Sequence, residues 1–319
     1  MNFIDQKPQN HKKTQTHGND KMSDIEEFLN QLTLPPSTSE APSVYAFSLH
    51  KSGSTLLFNM LSDLAPHAGL TYFSMQDQMF INGIMPNSEI PNSKLFFKPK
   101  GYLYGGFRFF PQAYKLENLN NHKKILLIRN PMDALVSMYF SRKKSHAIPK
   151  KGLLREVWLK RRESADSQDI EAFVKEKYKS HIKRIKSYKE ILSQDNCVIY
   201  RYEDIIYDKL SFLKNICQQY GWVIEEKILT KIVNKYDVFP ETEKEESHVR
   251  QVHPGNYKKK LSAETQQFLE LEFQDILEAF GYSVSPTSAF SRLSLKDHYL
   301  WHATLNDDVD IQCRCRTLK

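Results

Sequence analysis

Six consecutive residues, His50-Lys51-Ser52-Gly53-Ser54-Thr55, bring together one full positive charge, three hydroxyls and a glycine. Such a set can cradle a phosphate-like anion. Lys51 supplies the charge, Gly53 lets the backbone come close, and Ser52, Ser54 and Thr55 add hydroxyl donors. A second group lies downstream. Arg129 and Ser137 stand eight residues apart, on either side of Pro131. An arginine fork in a turn and a hydroxyl two helical turns further on can share another phosphate. The first group is not the nucleotide-triphosphatase loop G-x-x-x-x-G-K-[ST], because Lys51 precedes Gly53 and no glycine stands five residues before it. Taken singly, each piece has a plainer reading: a polar strand–helix turn, a surface ion pair for Arg129, a packing residue for Ser137.

The elements around these residues set them in place. Val44–Leu49 is apolar and aromatic, long enough for one buried strand. Leu56, Leu57, Met60, Leu61 and Leu64 then recur at helical spacing. The resulting helix opens at the loop, with its unpaired N–H groups and positive dipole end facing any ligand there. Lys124–Ile128 (KILLI) is a continuous apolar run, as in a parallel strand covered on both faces. Pro131 suits the first turn of a helix that continues through Ala134–Tyr139. Cys197–Tyr202 is a further strand, and Gly69–Phe73 and Lys94–Lys98 (KLFFK) are expected to be two more. Ser74–Met85 reads as loop or helix, and Tyr102–Phe110 as a substrate wall or packing; Phe110–Leu119 is predicted helical. Helices are also predicted over Asp169–Leu192, 207–220, 225–236 and Ser262–Phe280, the last closed by Gly281. Strands alternating with helices predict an α/β fold, a parallel sheet flanked by helices. Ligands in such sheets sit beyond the carboxyl ends of the strands, where Lys51, Arg129 and Tyr202 all fall.

Residues 1–42 read as an extension: a polar stretch to about residue 22, a short helix over Met22–Leu34 with Ser23 as N-cap, and a Pro/Ser linker. Residues 43–282 form a single domain, and 283–319 a C-terminal extension of weak periodicity. A net charge of +7, from 45 Lys+Arg against 38 Asp+Glu, favours an anionic ligand or surface. No apolar run reaches the roughly 18 residues of a membrane span, and the N-terminus carries no hydrophobic signal core. Four scattered cysteines argue against a disulfide framework and for a reducing, cytoplasmic setting. Cys313-x-Cys315 is the lone pair with metal-ligand spacing, and on its basic tail it implies no metal. The basic stretch 142–164 could meet an acidic glycan, an anionic lipid or another polyanion, or be a solvated lid. Its cations do not interleave with stacking aromatics, so nucleic acid is not expected.

Together these pieces resemble the sulfotransferases that use 3′-phosphoadenosine-5′-phosphosulfate (PAPS). His50–Thr55 matches their 5′-phosphosulfate loop, and Arg129-Asn130-Pro131-Met132-Asp133-Ala134-Leu135-Val136-Ser137 their 3′-phosphate motif. Tyr202-Glu203-Asp204 looks like their YED segment, and Arg250–Leu261 is similar to their late RKG…GxW motif. The resemblance spans about residues 43–282 and implies a three-layer sandwich like that of the P-loop nucleotidases. It implies that PAPS is held by Lys51, Ser52, Gly53, Ser54 and Thr55 at its 5′ end, by Arg129, Ser137 and Arg250 at its 3′-phosphate, with Tyr202 near adenine. It further implies transfer of a sulfuryl group to a hydroxyl or amine of a small-molecule, glycan or lipid acceptor, giving a sulfate ester and PAP without a metal. Lys51 would neutralise charge on the leaving oxygen. Several positions depart from the family. Leu56 replaces an aromatic, Gln251-Val252 replace a lysine and a glycine, and Tyr257 replaces a tryptophan. Lys98-Pro99-Lys100-Gly101-Tyr102 stands where many members carry K-T-H-L-P, so Lys100 takes the place of the basic histidine. Asp77 and His50 are the other base candidates. The rivals are a nucleotide-binding protein of the same fold that has lost its base, and an ATP-dependent phosphotransferase, for which neither a Walker loop nor a magnesium carboxylate is apparent.

Overall fold

The computed structural model describes residues 16–192, 196–240, 243 and 250–282. Residues 283–319, with Cys313 and Cys315, lie outside these, as does most of the predicted polar N-terminal stretch. The chain divides into two units, Met1–Leu34 and Pro35–Lys319. The described part of the first is a helix, α1 (Thr16–Gln31), which begins ahead of the expected Met22.

The second unit is built on a five-stranded sheet. In chain order its first elements are β1 (Val44–Ser48), α2 (Ser54–Leu64), β2 (Thr71–Phe73), α3 (Met75–Ile81), β3 (Tyr102–Phe107), β4 (Lys123–Ile128) and α4 (Pro131–Phe140). A π-turn, Ser141–Ser145, extends α4. Then come α5 (Gly152–Asp166), α6 (Ile170–Lys186), α7 (Lys189–Leu192), β5 (Cys197–Arg201), α8 (Tyr202–Ile205), α9 (Lys209–Tyr220) and α10 (Glu226–Tyr236). Three helices close the unit: α11 (Tyr257–Lys260), α12 (Ala263–Glu272) and α13 (Gln274–Ala279). The strands lie in the order β2-β3-β1-β4-β5, every pair parallel. Among the described residues no helix is long and apolar enough to cross a membrane.

Side chains alternate across a strand, and β1 shows why both faces are covered. Val44 and Ala46 join one apolar cluster with Leu57 and Leu61 of α2, Phe212 and Ile216 of α9, and Leu229 of α10. Tyr45 and Phe47 point the other way, into a stack of rings with Tyr104 and Phe107 of β3. The segment expected as the third strand, Lys94–Lys98, serves that second face instead. It begins as a 3-10 turn, Ser93–Leu95, and Phe97 lays its ring 5.1 Å from Tyr104 and 5.9 Å from Tyr114. The strand itself is Tyr102–Phe107, buried along its whole length.

Gly105 and Gly106 disguise it. The pairing steps from Tyr45↔Tyr104 to Phe47↔Phe107, so β3 carries one extra residue, a bulge at the two glycines. A Cβ on Gly106 would stand 1.8 Å from Ser74 Oγ, and one on Gly105 2.4 Å from the Tyr72 hydroxyl. Only glycine lets β2 and the start of α3 come this near.

Other expectations change in detail. Phe110–Leu119 holds the 3-10 turn Gln112–Tyr114 and the first residue of another, Leu119–Asn121, rather than a helix. The helix expected over Asp169–Leu192 is α6, capped by the Asp169 side chain, followed by the short α7. The basic stretch 142–164 is ordered as the π-turn and α5, which buries Leu154, Trp158 and Ala165.

Candidate functional site

Register decides which residues meet. Ser48 pairs with Leu127, Phe47 with Phe107, and Ile128 with Arg201. The residues just beyond those ends, the loop at Lys51, Arg108, Arg129 and Tyr202, therefore emerge along one edge of the sheet. The chain leaves β1 towards β2 on one side and leaves β4 towards β5 on the other. That divergence opens a crevice at the carboxyl ends of β1 and β4, the usual binding place in an open parallel sheet.

The β1–α2 loop turns sharply into the crevice. Lys51 adopts a left-handed backbone, φ 68°, and Gly53 follows at φ 85° as the N-cap of α2, without a side-chain cap. A non-glycine residue in this region is strained, and here the strained residue is the lysine itself. A Cβ at Gly53 would lie 2.6 Å from the Tyr202 ring. That ring is the floor of the loop, and it also carries the Arg129 guanidinium, 4.5 Å above its centroid. The Tyr202 hydroxyl is used structurally, donating to the Val252 carbonyl at 2.7 Å; burial pushes its pKa up to about 12.

Lys51 and Arg129 are neighbours: Arg129 Nη1 donates to the Lys51 carbonyl at 3.5 Å. Burial, then the charges of Arg129, Arg108 and Arg250, push the Lys51 ammonium down to about 8. Burial and Arg129 likewise push Arg250 down to about 10. Each arginine already has a carboxylate, Asp77 for Arg108, Asp133 at 3.8 Å for Arg129 and Glu243 for Arg250, which leaves Lys51 as the cation of the group with no acidic partner among the described residues. Two buried donors at this site, Arg129 Nε and Ser52 Oγ, have no hydrogen-bond partner. The donor set, the glycine floor contact and these orphaned atoms fit a phosphorylated nucleotide. Ser137 lies on α4 and is half-buried. Arg250 packs 4.2 Å over the Phe140 ring and pairs with Glu243, which also holds Lys260.

Three acidic and amide side chains that sequence reasoning gave no role lock this arrangement. The Asn130 side chain caps α4, accepting from Met132 N–H at 3.0 Å. Glu203 accepts from the Asn130 N–H at 2.9 Å, tying the β5 end to the β4 turn. Asp133, 1% exposed, accepts from the N–H groups of Gly255 and Tyr257 and so fixes the late segment against α4. The Asn130 cap is local, but the partners of Glu203 and Asp133 lie 73 to 124 residues away, so no local spacing could reveal those two.

The base candidates separate clearly. Lys100 is a correction: it precedes β3, pairs with exposed Glu40, and bridges Pro42 ahead of β1. The length of β3, roughly 20 Å at about 3.3 Å per residue, lies between it and the crevice. The residue beyond the true β3 end is Arg108. Its Nη1 donates to Asp77 Oδ1 at 2.7 Å, and the Ser74 hydroxyl donates to Asp77 Oδ2 at 2.7 Å. Both carboxylate oxygens of Asp77 are thereby engaged. His50 adjoins Lys51, and its buried Nδ1 has no partner. Burial, then the charges of Arg184, Lys51, Arg142 and His181, hold its pKa well below the usual histidine value. It is a neutral imidazole at pH 7, and the same burial and cations disfavour its protonated form.

Comparison with known proteins adds family and fold. Residues 110–281 match the family described as the sulfotransferase domain. No curated protein matches the sequence. Among solved structures, a mouse sulfotransferase complexed with PAP is similar, at 17% identity and TM-score 0.51, over 84% of this chain and 94% of that one. A retinol dehydratase in complex with androsterone and inactive cofactor PAP aligns at 15% identity and TM-score 0.48, over 81% of this chain and 85% of that one.

Proposed function

This chain belongs to the sulfotransferase-domain family, whose chemistry is sulfuryl transfer, and we propose that its donor is PAPS and its acceptor a hydroxyl or amine on a small molecule, glycan or lipid. The observation that carries the reading is the contact of Lys51 with Arg129. Two anion grips from different strands share one crevice, close enough for the two ends of a single bisphosphorylated nucleotide. The PAP present in the mouse sulfotransferase complex agrees with this choice.

In the proposed roles, Lys51 and the loop Ser52–Thr55 hold the 5′-phosphosulfate, while Arg129, Ser137 and Arg250 hold the 3′-phosphate. The acceptor oxygen bonds to sulfur as the bond from sulfur to the 5′-phosphate oxygen breaks. The electron pair leaves on that phosphate oxygen, where the Lys51 ammonium neutralises it. The acceptor proton passes to His50, the base candidate that is both at the crevice and uncharged. The scattered cysteines, with Cys197 and Cys217 buried, support a reducing, cytoplasmic setting.

Radiolabelled PAPS with a panel of phenols, sugars, lipids and steroids tests the activity. Lys51→Ala should lower turnover by about 10²–10³, the scale of losing one oxyanion donor. Near wild-type turnover would remove Lys51 from the mechanism. Tight PAP binding with no labelled product from any acceptor would favour the binding protein over the enzyme.

A further inference from the structure

The positive charge does not stop at the donor loop. On the side of His50, four segments converge: the β1–α2 loop, the π-turn after α4, α5, and the α6–α7 junction. They bring His50, Arg142, Arg161, His181, Arg184 and Tyr188 together. His181 and Arg184, three apart, share one face of α6, and Tyr188 follows in the turn before α7. His181 is 1% exposed and Tyr188 fully buried. The Tyr188 ring meets Phe47 of β1 and Phe110, each at 6.0 Å, so the group lies at the carboxyl end of the sheet beside the donor loop.

Two features of the group are costly for a protein interior. First, its guanidinium groups repel: Arg142 feels the charges of Arg161 and Arg184, and Arg184 that of Arg161. Aromatic faces carry two of the guanidinium groups, with Arg142 5.5 Å over Phe173 and Arg161 5.0 Å over Trp158. No carboxylate among the described residues forms an ion pair with Arg142, Arg161 or Arg184. The acid whose charge Arg142 does feel is Glu176, which is exposed and already bound by Lys177 and Gln168. Second, four buried polar atoms point into the protein with no partner: His50 Nδ1, Arg142 Nε, His181 Nδ1 and the Tyr188 hydroxyl. Each buried unpaired polar group costs on the order of 1–3 kcal/mol. A wholly structural cluster would retain neither the repulsion nor the unpaired groups. A bound anion relieves both at once.

We propose that this cluster receives an anionic group, a carboxylate, sulfate or phosphate, carried by the acceptor itself, so that the sulfuryl group is delivered to an already anionic molecule. The inference rests on reading the Lys51 loop as the donor site. His50 stands between the two, next to Lys51 on one side and within the field of Arg142 and Arg184 on the other. An acceptor anchored by its anion on the arginines presents its hydroxyl at His50 and the donor loop. Neutral phenols or steroids would enter the same space at the expense of leaving the guanidinium groups unpaired.

Calorimetry on the full chain saturated with PAP tests this with a matched pair, 4-hydroxyphenylacetate and its neutral isostere 4-hydroxyphenylacetamide. The acid should bind at least about tenfold more tightly, the scale of one charge-assisted pair. Arg142→Gln and Arg184→Gln should each remove most of that advantage while leaving PAP affinity unchanged. If a substitution prevents folding, seen as lost PAP binding, competition in the wild-type protein decides instead. At constant ionic strength, sodium sulfate should displace the acid and not the amide. Equal affinities, no binding of the acid, an advantage that survives both substitutions, or acid binding indifferent to sulfate would each overturn the proposal. Failure of the wild-type chain to bind PAP refutes the donor reading instead; the acid–amide comparison in wild type and variants then still decides the anion site.

Discussion

Raising the pH from 7.5 to 9.5 should detach the nucleotide through one side chain. Desolvation, then the charges of Arg129, Arg108 and Arg250, push Lys51 down to about 8 in the free protein, from an ordinary 10.5. Phosphate groups arriving beside it neutralise that field and return the ammonium towards its ordinary value. The charged lysine is the binding form, so affinity is full below pH 8 and falls as pH rises through it. Linkage between those two values gives a loss of about 20-fold in PAP affinity over this interval. The nucleotide phosphates are already ionised at pH 7.5 and contribute little. Calorimetry at the two pH values reads the loss directly. Repeating it at pH 8.5 in buffers of different ionisation enthalpy should show a fraction of a proton taken up on binding. Lys51→Met should bind weakly with no such slope. The same slope in Lys51→Met, or none in the wild type, would show that the depressed lysine does not govern binding.

Other perturbations probe the remaining parts. Arg129→Ala should weaken PAP far more than adenosine 5′-phosphosulfate, which lacks the 3′-phosphate; equal losses by calorimetry would contradict its assignment. Gly53→Ala adds a Cβ 2.6 Å from the Tyr202 ring at φ 85°. It should cost at least about 1–2 kcal/mol in denaturant unfolding from the backbone alone, and more from the clash, with PAP binding lost at the same time. Lys100→Ala, far from the crevice and exposed, should change stability by no more than about 0.5 kcal/mol and leave turnover unaltered; a large fall in turnover would restore it as a base.

The turns at Lys51 and Arg129, proposed to hold the donor, were legible as turns because their signals are local. A continuous apolar run, Lys124–Ile128, followed by Arg129-Asn130-Pro131 can end only at a strand–helix turn, and β4 and α4 meet there. The third strand was not. Tyr102–Phe107 hides its strand behind a glycine pair whose purpose, the approach of Ser74 and Tyr72, is tertiary. With Lys94–Lys98 read as the strand, the residue beyond it became Lys100 rather than Arg108, and the base search moved to the wrong end of the sheet. The aromatics Tyr102 and Tyr104, two apart, with Phe107 set one further on by the bulge, were the available signal. The basic stretch 142–164 showed its charge in sequence, but only the fold brings Arg142 and Arg161 to His181 and Arg184. The roles of Asp133 and Glu203 likewise depend on partners that spacing along the chain does not encode.

Tyr202 has a further bearing on how the nucleotide is gripped. Its ring lies against Gly53 and carries Arg129, and its hydroxyl is anchored to Val252 near Arg250. Displacing the ring would displace the loop and the guanidinium together. On the proposed reading the two phosphate holds therefore act as one jaw with a common hinge plate, and a lineage drifting towards a nucleotide of another length would have to rework both in a single step.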